Sequence, residues 1–215
     1  MYRQLMYSGF HFENILYMFL RLFAVLLAIC IHETAHGFAA YKLGDSTAKY
    51  DGRLSLNPLK HIDPIGALCM FVFGFGWAKP VRINPYYFKN LKRDTALTAL
   101  AGPISNILLS FIIMLCWVHL VPAVNNLYFS LFVQSFLSIN LGLAVFNLLP
   151  IPPLDGSKIF LSLLPRKAYY EIMRYERYGF IILAAALYLG VLDPILNFCT
   201  SAISQILFFL AGGGI

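Results

Sequence analysis

The sequence predicts an all-α, polytopic membrane protein, and three observations carry that prediction. Of its 215 residues, 60% are hydrophobic and 12% charged, with a mean hydropathy of +0.72, a composition outside the usual range of a soluble domain. Three apolar stretches, Ile15 to Leu43, Ala96 to Leu120 and Leu127 to Leu149, each reach the ~20 residues that a helix needs to cross hydrocarbon. Apart from Arg21, the Lys and Arg residues lie toward the ends of those stretches and in the connections, as lipid headgroups favour. No linker, low-complexity tract or internal repeat divides the chain. Residues 1–215 therefore read as one membrane-embedded domain, with a three-helix core over about 15–158 and a C-terminal helical part over about 166–215.

The N-terminus, MYRQLMYSGFHFENILYMF, has no basic region followed by a short apolar run and a small-residue cleavage site, so the first span is expected to stay. Arg21 falls inside that span and should snorkel outward or face a polar cavity. Between the first and second spans, IGALCMFVFGFGWAKPVRINPYYF is apolar but interrupted by Gly66, Gly74 and Gly76. A re-entrant or interfacial hairpin is expected there, its amides satisfied by protein or a wet cavity. After the third span, Tyr178 to Leu192 is short, Asp193-Pro194 breaks it, and Ile195 to Leu210 is again apolar, so four or five spans are expected. Nine bases lie between Lys42 and Arg93 and five between Lys158 and Arg177, while VPAVNN carries none. Both basic connections should face the cytoplasm, and the first helix should run inward. No basic stripe interleaves with aromatics, so nucleic acid is not an expected partner. Cys30, Cys69, Cys116 and Cys199 form no CxxC pair and read as buried small hydrophobes.

The sharpest chemical signal is HETAH, His32 to His36, near the inner end of the first helix. Imidazoles at i and i+4 project from one helix face and can share a zinc ion, with Glu33 beside them as general base. Three ionisable residues within one turn of an apolar helix are costly to insert, which argues for a site rather than a chance pattern. A catalytic zinc needs a third protein ligand at the same depth. His119 lies about 25 residues along the second helix from its inner end, tens of ångströms away at ~1.5 Å per residue. Asp155, in NLLPIPPLDG directly after the third span, ends on the inner side and is the favoured ligand; His61 and Asp63 of the inner loop are its rivals. Pro150, Pro152, Pro153 and Gly156 predict an extended segment that turns the Asp155 carboxylate inward. Asn147, near the inner end of the third helix, could donate to a developing oxyanion or hold substrate backbone, or could simply close a helix hydrogen bond. Asn106, in AGPISN, reads as a helix cross-link among small residues.

HETAH in a first span, AGPISN in a second and NLLPIPPLDG after a third together resemble the site-2 protease family of intramembrane zinc metalloproteases. The likeness covers roughly Cys30 to Lys158, and LNPLKHIDPIG and WAKPVRINP look typical of compact bacterial-type members without a PDZ domain. The resemblance implies one Zn²⁺ held by His32, His36 and Asp155, Glu33 as catalytic base, and Asn147 as a catalytic and substrate-binding residue that stabilises the oxyanion. It also implies hydrolysis of a peptide bond in or near a transmembrane helix of membrane-protein or membrane-peptide substrates, after local unwinding. The family's substrates include anti-sigma factors, transcription-factor precursors and leftover signal peptides. A multi-pass protein of a bacterial or archaeal cytoplasmic membrane, with its site near the cytoplasmic side, is the expectation. The rival readings are a non-proteolytic zinc-binding scaffold, which would have no need of Glu33, and a metal transporter, which would need ligands spread across both leaflets.

Overall fold

In this computed structural model, residues 12–61, 63, 66, 79–174 and 176–214 are described. The expected glycine-rich hairpin, including Gly74 and Gly76, falls largely outside the described residues, as does Cys69. The described residues form helices α1 (Phe12–Lys42), α2 (Thr47–Tyr50), α3 (Leu91–Leu115), α4 (Val121–Val124), α5 (Leu127–Asn147), α6 (Asp155–Ser162), α7 (Arg166–Arg174), α8 (Glu176–Tyr188) and α9 (Asp193–Leu210), with no strand among them. The protein is an all-α polytopic membrane protein.

Among the described residues, four segments are long and apolar enough to span: Ile15–Lys42, Leu91–Val124, Leu127–Asn147 and Asp193–Leu210. The second is longer than the apolar run alone implies. Asn90 caps its start by accepting the Arg93 backbone N–H, recruiting the polar LKRDT turn into α3. At its other end, a π-helical turn at Cys116–Leu120 continues the helix into α4, which stops at Asn125 in the left-handed conformation with φ 46°. Asn126 then caps α5 by accepting the Phe129 N–H. The C-terminal question resolves into a short apolar helix, α8, and one span, α9, which Pro194 opens within its first turn.

α1, α3 and α5 pack against one another through small residues. Ala24, Ala28 and Ala40 of α1, Ala99 and Gly102 of α3 and Ala144 of α5 are all buried, letting backbones approach where no hydrophobic effect drives association. The bundle is layered. Toward the α3–α5 connection, Ile113, Met114, Val133, Leu137 and Leu141 form an apolar core with Leu207 of α9. Toward the basic connections, Leu149, Leu154, Leu183 and Leu192 form a second cluster that seats α8 and the start of α9 on the segment after α5. Between these ends lies a polar layer containing His32, His36, Asn106, Asn140 and Asp155, all buried. The Arg21 guanidinium lies 5.9 Å from the Tyr17 ring centroid, one turn toward the α1 N-terminus, in the snorkelling direction.

Candidate metal centre

HETAH sits in the C-terminal part of α1, and its helical spacing brings the two imidazoles together. His32 Nε2 and His36 Nε2 are 3.0 Å apart, and their rings meet edge-on at 87°. Asp155 completes the cluster, with Oδ2 at 3.1 Å from His32 Nε2 and 3.0 Å from His36 Nε2. Among the described residues, this is the one group of three His, Cys, Asp or Glu side chains placed to hold a metal. His61 and Asp63 lie elsewhere: His61 Nε2–H donates to the Ser55 carbonyl and Asp63 accepts the Gly66 N–H. His119 is remote, donating from Nε2 to the Ala211 carbonyl at the end of α9.

Asp155 is the first residue of α6 rather than part of an extended segment. The prolines stop α5, the Pro152–Pro153 peptide is cis, and Leu154 is extended before GSKIFLS resumes helical geometry. The positive end of α6 then supports the carboxylate. Lys158 Nζ lies 3.8 Å from the other carboxylate oxygen of Asp155, Oδ1. Gly156 allows this placement, since a Cβ there would lie 2.3 Å from the Leu148 carbonyl oxygen.

The outer partners decide what the cluster can hold. His36 Nδ1 lies 2.8 Å from the Thr98 carbonyl, which can only accept, so Nδ1 carries the proton and Nε2 the lone pair. His32 Nδ1 lies 3.2 Å from Asn106 Oδ1, with the same consequence. Two imidazole lone pairs and a carboxylate oxygen thus converge on one point, an arrangement that calls for a cation. Their 3.0–3.1 Å separations are near the ~3.3–3.4 Å edge of a tetrahedron with metal–ligand bonds of about 2.0–2.1 Å. The donor set, two nitrogens and one oxygen, fits zinc.

Beside the cluster is a cavity of about 410 Å³ whose walls include Glu33, Val81, Ile83, Asn147, Pro153 and Lys158. Glu33 Oε2 accepts the Val81 N–H at 2.8 Å, tying the carboxylate to the irregular segment Lys79–Asn84. That segment is itself fixed by Lys79 N–H donating to the His61 carbonyl and Asn84 N–H donating to the buried Asp45. Asn147 lines the cavity with its side-chain amide donating to the Leu143 carbonyl at 3.0 Å. Sequence reasoning missed three contributors: the Val81 amide, the Thr98 carbonyl and Asn140, which accepts from Asn106. Backbone groups leave no mark in a sequence, whereas Asn140, a strong polar residue in an apolar span, was a readable signal. Asn106 cross-links helices as expected and also holds His32.

Helical bundle, buried His-His-Asp cluster and adjoining carboxylate define a polytopic membrane protein with a candidate metal centre. A model of peptidase family M50 matches residues 118–189, which include Asn147 and Asp155. The chain is 43% identical over 164 residues to "Putative zinc metalloprotease YwhC" of Bacillus subtilis, covering 74% of this chain and 75% of that one. It is 31% identical over 149 residues to "Putative zinc metalloprotease MJ0611" of Methanocaldococcus jannaschii, covering 68% and 71%. "Putative zinc metalloprotease Rip2" of Mycolicibacterium smegmatis is 29% identical over 179 residues, covering 80% and 66%. No solved structure matches. The chain belongs to peptidase family M50, the site-2 protease family, and is an integral-membrane zinc metalloprotease.

Proposed function

We propose that the protein cleaves peptide bonds in or near the transmembrane segments of membrane-protein substrates, in a bacterial or archaeal cytoplasmic membrane, with the site near the cytoplasmic face. The observation that carries the reading is the convergence of His32, His36 and Asp155 inside the bundle, beside a cavity that Glu33 lines. His32, His36 and Asp155 are the zinc ligands, and zinc, when bound, supplies Lewis acidity that activates water and polarises the scissile carbonyl. Glu33 is the general base: it takes the proton of the attacking water and delivers it to the departing amine. Its hydrogen bond from the Val81 amide keeps the carboxylate oriented toward the cavity without removing its second oxygen. Asn147 has a free amide hydrogen beyond the one on the Leu143 carbonyl, and it donates that hydrogen to the developing oxyanion or to substrate backbone. A helical segment keeps its scissile carbonyl hydrogen-bonded internally, so a transmembrane substrate must unwind locally before that carbonyl can enter the cavity. Nine bases from Lys42 to Arg93, in the connection between the first two spans and at their facing ends, favour the cytoplasmic placement.

The test is quantitative proteomics of host membranes carrying wild type or Glu33→Gln at equal expression. Single-span or pre-trimmed membrane proteins should accumulate in the variant, with their cytoplasmic fragments present only with wild type. No difference between the two, with zinc bound to both, would replace proteolysis by a scaffold role.

A further inference from the structure

We propose that Asn140 is a positioning residue for the metal centre, fixing the proton of His32 through Asn106. The two metal-site histidines reach their tautomers by different routes. His36 Nδ1 faces a backbone carbonyl directly, that of Thr98. His32 Nδ1 instead faces Asn106 Oδ1, and a side-chain amide can present either its oxygen or its nitrogen. Something must decide which end of Asn106 points at His32.

The decision comes from across the helix interface. Asn140 Nδ2 lies 2.8 Å from the Phe136 carbonyl in its own helix, and that carbonyl can only accept. Asn140 must therefore turn its NH₂ to Phe136 and its Oδ1 toward α3. Oδ1 stands 3.2 Å from Asn106 Nδ2, so Asn106 in turn gives its NH₂ to Asn140 and its oxygen to His32. His32 then carries its proton on Nδ1, and Nε2 is left to ligate. Reversing the chain would set the Asn140 and Phe136 oxygens against each other at 2.8 Å in a buried layer. Both asparagines are fully buried, so no water can relieve that repulsion. Ser105 does not fix Asn106 in place of Asn140: its one hydroxyl hydrogen goes to the Gly102 carbonyl at 2.7 Å, and its approach to Asn106 Oδ1 is far longer, 3.4 Å. One peptide carbonyl of α5 thus sets the tautomer of a residue on α1 through three hydrogen bonds.

The inference rests on His32 being a metal ligand, and the experiment separates the two ideas. Purified full-length protein would be titrated with zinc against a competing chelator as wild type, N140S, N140D and H32A, with melting followed alongside. In N140S the hydroxyl can bond back to the Phe136 carbonyl, so the helix remains satisfied but Asn106 loses its director. Zinc affinity should fall about tenfold, the lower end of what loss of an outer partner costs. In N140D the introduced carboxylic acid, neutral in this buried layer, donates its O–H to the Phe136 carbonyl and still accepts from Asn106. Zinc affinity of N140D should therefore remain within about threefold of wild type. In zinc-loaded protein labelled with ¹⁵N-histidine, His32 should show a directly bonded proton on Nδ1 in wild type and N140D, and lose that single state in N140S. Unchanged affinity in N140S, equal losses in N140S and N140D, or a proton on His32 Nε2 in wild type overturns the proposal. Wild-type affinity in H32A overturns the ligand assignment and the proposal with it, whereas loss in H32A without loss in N140S overturns the proposal alone.

Discussion

Replacing Gly102 by alanine should abolish tight zinc binding while leaving the protein folded. A Cβ at this position would lie 2.4 Å from His36 Nε2 and 2.6 Å from His32 Cε1. Ordinary contact begins near 3.4 Å, so helix or imidazole must retreat by about 1 Å, whereas metal–ligand distances tolerate only about 0.2 Å. His36 Nε2 leaves the ligand set, and zinc affinity should fall by more than the ~10–100-fold that losing an outer-shell partner costs. Stability moves far less: alanine returns about 0.8–1 kcal/mol of helix propensity against about 1–3 kcal/mol of overpacking. The assay is competitive zinc titration with thermal melting, run beside Gly142→Ala. A Cβ at Gly142 meets nothing within 4 Å, so that variant should bind zinc like wild type. Wild-type zinc affinity in Gly102→Ala would refute the close approach of α3 to the two histidines.

Glu33→Gln should keep zinc and lose about 10²–10⁴-fold in turnover, the usual contribution of a general base, measured by cleavage of a reconstituted membrane substrate beside metal content. Val81→Pro removes the amide that Glu33 accepts; turnover should drop about tenfold, matching a charge-assisted hydrogen bond of about 1.5 kcal/mol, with zinc content unchanged. Gly156→Ala drives a Cβ to 2.3 Å from a backbone oxygen that cannot rotate away, so both melting temperature and zinc affinity should fall. A normal melt in that variant would contradict the tight turn between α5 and α6. Asp155→Asn should weaken zinc binding at least tenfold by removing the anionic ligand, read by the same chelator competition.

What could be read directly was what depends on neighbours in sequence. Hydropathy marked all three spans of the core, because crossing hydrocarbon requires a continuous apolar run. HETAH pointed to two candidate ligands, because i and i+4 share a helix face, with a candidate base beside them. Boundaries drifted where capping rather than hydropathy decides them: Asn90 drew a charged turn into α3, and a π-helical turn carried that helix on to Val124. Membrane depth sets His119 aside and the proline-rich turn favours Asp155, but neither separates it fully from His61 and Asp63; the cluster contains Asp155, while the rivals bond within their own loop.

The sequence by itself thus determined an all-α membrane body and the residue types of the candidate site, since residue type, helical period and apolar length are properties of short segments. Only the tertiary structure decided which lone pairs face the metal. That depends on the Thr98 carbonyl, on the Asn106–Asn140 chain and on Gly102 admitting α3 against the imidazoles. These groups lie on α3 and α5, and the imidazoles they act on lie on α1. Backbone carbonyls and amide orientations are common to every sequence, and they acquire meaning only when packing brings them face to face.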